Sequence, residues 1–226
     1  MPAPSARPTI TFDVYSALVD SRTGGTRACM TLAEHHGWSI EPQALYARWD
    51  ALCKELQRDT VTWVPFRTLA AQAMDAAQRE LDLRGDPLAD TDALLSTIGS
   101  WPHYSDVPDA LARVAAEHDV AVLTNIDDDL LAQTDPGWAF PTAITSEAAA
   151  CYKPHPEIYR FAQERVGPLV HVAASARDVR GSLEAGLDVV RVVRPGHHVD
   201  ADGPAPTWVI EDLRELPAEL GRMQAR

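Results

Sequence analysis

The chain has 226 residues, 46% of them hydrophobic, and a formal net charge of −13. That length and apolar content suit one core domain with room for a modest insertion. The acidic balance, with no run of Lys or Arg, argues against nucleic acid and anionic membranes as partners. Three scattered cysteines, Cys29, Cys53 and Cys151, form no CxxC pair, so neither a disulfide framework nor a zinc site is signalled. The N-terminal Met-Pro-Ala-Pro-Ser-Ala-Arg has no apolar core of signal-peptide length, and no apolar run reaches bilayer length. A cytoplasmic location is therefore expected.

Thr9-Ile-Thr-Phe12 is a short run of β-branched and aromatic residues, which reads as a buried strand. Asp13 stands at its end. After Asp20, Ser-Arg-Thr-Gly-Gly-Thr reads as a flexible connection, with Gly24-Gly25 as a hinge. From Thr26 to Ile98 the apolar residues recur at helical spacing: Leu45, Trp49, Leu52 and Leu56, then Phe66, Leu69, Ala70, Ala73, Met74 and Ala77. Trp49, Trp63 and Phe66 are expected in the core of this helical block, with the wall of an apolar pocket as the alternative.

Beyond it the pattern alternates. Helices are expected over 107–117, 127–133, 156–166, 178–185 and 213–220. Strands are expected over 120–124, 143–144, 169–173, 189–193 and 207–210. Such alternation argues an α/β fold: a doubly wound, Rossmann-like parallel sheet with a helical cap inserted after the first strand. The expected division is a core of residues 1–20 and 99–226 and a cap of residues 21–98. Acidic residues Asp127 to Asp129 read as helix caps. The pairs His35-His36 and His197-His198 read as surface residues, since adjacent residues seldom face one ligand.

In open parallel sheets, ligands bind outside the carboxyl ends of the strands. Polar residues stand at such ends: Asp13, then Thr124-Asn125, then Lys153 in Lys-Pro-His-Pro, then Ser175 with Asp178. A carboxylate beside a lysine stays ionised and is a candidate nucleophile. Thr and Asn supply neutral donors for an anion.

The order Asp-x-Tyr, Thr-Asn, Lys-Pro-x-Pro, Ser-x-x-Asp resembles the four motifs of the haloacid dehalogenase superfamily, over nearly the whole chain. Most of that superfamily are magnesium-dependent phosphatases with a second Asp two residues after the first and a Gly-Asp pair in the fourth motif. Here those places hold Tyr15 and Ala173-Ala174. An alanine offers magnesium no oxygen ligand. The chain is similar instead to the metal-independent L-2-haloacid dehalogenase branch, which implies no metal and no other cofactor.

The resemblance implies a small anionic carboxylate as substrate. Asp13 would attack C2, halide would leave, and water would hydrolyse the aspartyl ester to free a 2-hydroxyacid. Lys153 would hold Asp13, and Asp178 and Ser175 would handle the water. Thr124 and Asn125 would bind the substrate carboxylate or the leaving group. Tyr15 and Tyr159 would line the pocket, with core packing as the alternative for Tyr159, and Arg48 of the cap would receive the halide, with a solvated helix arginine as the alternative. Two departures stand out. Ser16-Ala17 replaces the usual Gly-Thr, with Ser16 in part supplying the lost donor, and Ala173-Ala174-Ser175 replaces Ser-x-Asn. Those departures leave room for another small carboxylate opened at carbon, such as azetidine-2-carboxylate, for a phosphatase with an unusual metal, or for a decayed binding module. Exposed cap helices are compatible with a homodimer.

Overall fold

A computed structural model describes residues 7–225. Its centre is a parallel sheet of β1 (Thr9–Phe12), β2 (Val120–Thr124), β3 (Thr142–Thr145), β4 (Leu169–Ala173), β5 (Asp188–Val192) and β6 (Trp208–Ile210), in the order β3-β2-β1-β4-β5-β6. The strands β1, β2 and β4 are buried along their whole length, as strands covered on both faces must be. β1 lies between β2 and β4, with Phe12 level with both Val122 and Val172. The chain winds outward from β1 in both directions, so the switch point of the sheet falls at the carboxyl end of β1.

Between β1 and the rest of the sheet run α1 (Ser21–His36), α2 (Pro42–Asp59), α3 (Phe66–Glu80) and α4 (Pro87–Leu95), then a 3₁₀ turn at Ile98–Ser100. Their apolar stripes meet one another: Leu45, Trp49, Leu69, Ala70, Ala73, Met74 and Leu94 are all buried in one cluster. That cluster also takes in Val14 and Val122, so the helical block packs directly on the carboxyl side of the sheet. Trp49 and Phe66 are core residues of this block, packed edge to face, while Trp63 is part-buried beside them.

The remaining helices are α5 (Val107–Ala115), α6 (Asp128–Gln133), α7 (Ser146–Ala149), α8 (Pro156–Val166), α9 (Ala176–Glu184) and α10 (Leu216–Gln224). Among the described residues no helix is long and apolar enough to cross a membrane.

Two expectations are corrected. Gly24 and Gly25 are not a hinge; they lie buried inside α1. Asp20 caps that helix by accepting from the Thr23 backbone N–H at 3.0 Å, so it starts before the glycines. The glycines are there for space, since a Cβ on Gly24 would meet Trp101 at 2.3 Å and one on Gly25 would meet Tyr46 at 2.0 Å. Asp127 is a cap, as expected, but for a different helix: its carboxylate accepts from the backbone N–H groups of Phe66 (2.7 Å) and Arg67 (3.0 Å) at the start of α3.

Candidate active site

The loops after β1, β2, β3 and β4 bring four distant stretches to one point. Asp13 follows β1, and its backbone N–H donates to Val172 O at 2.9 Å, continuing the ladder to β4. Lys153 comes from the loop between α7 and α8. Its ammonium places all three donors: to Asp13 Oδ1 at 2.8 Å, to Leu123 O at 2.8 Å and to Asp178 Oδ2 at 2.6 Å. The second oxygen of Asp13 accepts from Ser16 Oγ at 2.8 Å. Ser16 holds this position on a backbone with φ of 107°, a conformation that L-residues adopt only under constraint.

Asp178, in the first turn of α9, is fixed from three sides. Besides Lys153 it accepts from Tyr159 OH at 2.8 Å and from His171 Nε2 at 3.1 Å. A carboxylate can only accept, so that histidine nitrogen carries a proton. His171 Nδ1 in turn meets Thr11 Oγ1 at 2.9 Å, between level positions of β1 and β4. Burial alone raises the Asp178 pKa, but the Lys153 ammonium and His171 more than offset it and hold the carboxyl well below the usual range. Burial likewise opposes the Lys153 charge, and the two aspartates reverse that and raise its pKa.

This cluster floors a cleft with about 90 Å³ of room for water. On a measure by which one water needs roughly 10–15 Å³, that admits a molecule of a few heavy atoms. Its lining includes the aromatic residues Trp49, Phe66 and Trp101 and the polar residues Asp50, Lys54, Gln57 and Arg177.

No family model matches the chain. Curated relatives do. It is 25% identical to the (S)-2-haloacid dehalogenase H-109 of Pseudomonas putida over 92% of this chain and 95% of that one. It is 27% identical to the (S)-2-haloacid dehalogenase 4A of Burkholderia cepacia over 91% of each. Among solved structures, the L-2-haloacid dehalogenase of Xanthobacter autotrophicus with chloropropionic acid covalently bound superposes with a TM-score of 0.82 at 20% identity, over 96% of this chain and 99% of that one. Over most of its length the chain is similar to L-2-haloacid dehalogenases of the haloacid dehalogenase superfamily.

Against the motifs of that superfamily, the structure places the expected residues as follows. Asp13, Ser16, Thr124, Asn125, Lys153, Ser175 and Asp178 converge on the cleft, and Tyr15 lines it. The Tyr15 hydroxyl bonds to Thr134 Oγ1 at 2.6 Å, and burial raises its pKa. Thr124 Oγ1 is buried without a hydrogen-bond partner. Both amide hydrogens of Asn125 are engaged, by Lys153 O at 2.9 Å and Gln57 Oε1 at 3.0 Å, while its carbonyl accepts from the Lys153 N–H at 2.8 Å. Asn125 thus clamps the lysine loop. Tyr159 lies beneath the cleft, fully buried, and reaches it only through Asp178.

Arg48 does not join the site. It is part-exposed, and its guanidinium forks onto Glu80 of α3 and reaches Glu55 at 3.4 Å. Its side chain lies part-exposed at the edge of the buried stripe of α2, where Glu80 and Glu55 hold it. His197, read as a surface residue, lines the cleft. Arg177, Gln57 and His171 were not singled out from the sequence. A polar residue within the apolar run Val170-His-Val172 was the available signal for His171.

The magnesium that many superfamily members use does not fit these residues. The oxygens of Asp13 and Asp178 that face each other are bridged by Lys153 Nζ. Ala173 and Ala174 are fully buried and have no side-chain oxygen. Among the described residues no group of three or more His, Cys, Asp or Glu is arranged to hold a metal.

Proposed function

We propose that this chain hydrolyses small 2-halocarboxylates by displacement at carbon, with Asp13 as the nucleophile and no metal ion. One observation carries this reading: the Asp13 carboxylate sits at the floor of a small cleft, held by Lys153 at 2.8 Å and Ser16 at 2.8 Å. Those bonds fix its orientation while leaving its remaining lone pairs for attack. The names of the curated relatives, (S)-2-haloacid dehalogenases, support the substrate class.

In the first step an Asp13 oxygen forms a bond to C2 of the acid as the carbon–halogen bond breaks, and halide departs with the electron pair. Lys153 keeps its charge throughout and steadies the remaining carbonyl oxygen. In the second step water adds to the ester carbonyl of Asp13. The C–O bond to Asp13 Cγ breaks, one proton of the water passes to the departing alcohol oxygen and the other to solvent, and the 2-hydroxyacid leaves with its alcohol oxygen derived from Asp13. Asp178 is a weak base, because three donors hold it ionised. Its role is to pin Lys153 and orient water, with Ser175 as a second contact beside it. The helical segment 21–98 acts as the cap over a core of 1–20 and 99–226, excluding bulk water from the ester.

The test is halide release from (S)-2-chloropropionate, with and without EDTA. One turnover in oxygen-18-labelled water should place one heavy oxygen in the tryptic peptide carrying Asp13. Label that appears only in the product hydroxyacid, or turnover abolished by EDTA, contradicts the mechanism.

A further inference from the structure

Arg177 is the cation of this cleft that lacks an anion. Lys153 bonds two aspartates, and Lys54 pairs with Asp50 at 2.5 Å. Arg177, one residue before Asp178, donates from Nη1 to Lys54 O at 2.7 Å and from Nη2 to Gln57 Oε1 at 2.8 Å. Both acceptors are neutral. No carboxylate oxygen of the described residues comes within ion-pair distance of it. A guanidinium carries five N–H donors, and a carboxylate is its bidentate complement. Burial lowers the Arg177 pKa, and Asp178, Asp50 and Asp13 oppose this at longer range than an ion pair. A part-buried charge with neutral partners is left incompletely compensated unless an ion completes it. A second observation points the same way: the hydroxyl of Thr124, on the same cleft, is fully buried and has no partner.

We propose that Arg177 is the receptor for the substrate's carboxylate, with Arg48 taking no part. The proposal rests on the reading that the substrate is a small carboxylate, and it adds the residue that reads that charge. Gln57 is the positioning residue. Its Oε1 accepts from both Arg177 and Asn125, and Asn125 in turn holds the Lys153 loop. The guanidinium is thereby set in register with the lysine that holds Asp13. Because both Arg177 bonds end on α2, the receptor also ties the helical block to α9, so binding and closure share one side chain.

The experiment measures binding of propionate, which has no leaving group, by titration calorimetry, with propionamide as the neutral isostere. The chain should bind propionate and discriminate against propionamide by about tenfold or more, equivalent to about 1.4 kcal/mol. In Arg177→Met propionate affinity should fall by at least about tenfold, toward that of propionamide. Arg177→Lys should recover part of it. Gln57→Glu gives the guanidinium a resident anion in the same geometry, so it should weaken propionate binding similarly while leaving the α2–α9 tie and the melting temperature intact. Propionate binding by folded Arg177→Met or by Gln57→Glu at the parent affinity overturns the proposal. Asp13→Asn separates the two readings. It should lose halide release yet keep Arg177-dependent propionate binding. If the parent chain releases no halide but binds propionate through Arg177, the reaction fails and the receptor stands.

Discussion

Replacing Lys153 by Met tests the electrostatic core of the site. The three side chains are nearly sealed: Asp13 is 5% exposed, Lys153 3% and Asp178 3%. Methionine keeps most of the aliphatic volume and removes the charge. Both carboxylates lie within 2.8 Å of the one nitrogen. They therefore stand no more than about 5–6 Å apart, and at an effective dielectric near 20 their repulsion is about 3 kcal/mol. Removing one member of a buried ion pair costs about 3–5 kcal/mol by a similar argument. The pH dependence carries the sharper signature. In the parent chain the folded-state pKa of Asp178 is depressed. Its stabilisation is full above the unfolded carboxyl value near 3.9 and is lost as pH falls through the folded value. In Lys153→Met burial and mutual repulsion raise the pKa of one carboxyl of the pair. The folded variant then binds a proton before the unfolded chain does, so its stability grows as pH falls toward the unfolded carboxyl value near 3.9. Urea unfolding followed by tryptophan fluorescence across pH 5–8 measures both. A loss under about 1 kcal/mol, with curves parallel to the parent, refutes the claim that the lysine neutralises two buried carboxylates.

Tyr159→Phe deletes the bond to Asp178 Oδ1; bonds to charged acceptors contribute roughly 1.5–3 kcal/mol, so stability should fall by that order and acid unfolding should begin at higher pH. An unchanged acid limb in a pH-jump unfolding series would count against Tyr159 as the clamp of that carboxylate. Arg48→Ala breaks only the part-exposed fork to Glu80 and Glu55; kcat/KM for halide release should stay within about twofold, and a loss of a hundredfold would restore Arg48 to the site. Gly25→Ala puts a Cβ 2.0 Å from Tyr46 Cε2; differential scanning calorimetry should show destabilisation of about 1–3 kcal/mol, whereas helix propensity alone predicts a gain of about 1 kcal/mol.

Much of this protein was legible in one dimension. Apolar runs of four or five residues with β-branched content marked β1, β2, β4 and β5, because strands buried on both faces tolerate few polar residues. A polar residue just past such a run is exposed to the carboxyl edge of a parallel sheet by geometry alone, so Asp13, Thr124 and Ser175 were found without coordinates. Lys153 and Asp178 followed from motif order.

Side-chain direction was not legible. Whether a helical residue faces a cleft or solvent depends on a rotation of 100° per residue, set by packing against other helices. Arg48 was expected at the cleft and instead pairs with Glu80 and Glu55 for that reason. Gly24 and Gly25 looked like a hinge, because a glycine needed for close approach and one needed for a turn are written the same way. The place of Arg177 in the cleft was hidden for a further reason. The charge state that Arg177 imposes on the cleft depends on what stands opposite it, and Gln57, 120 positions away, meets it only after folding.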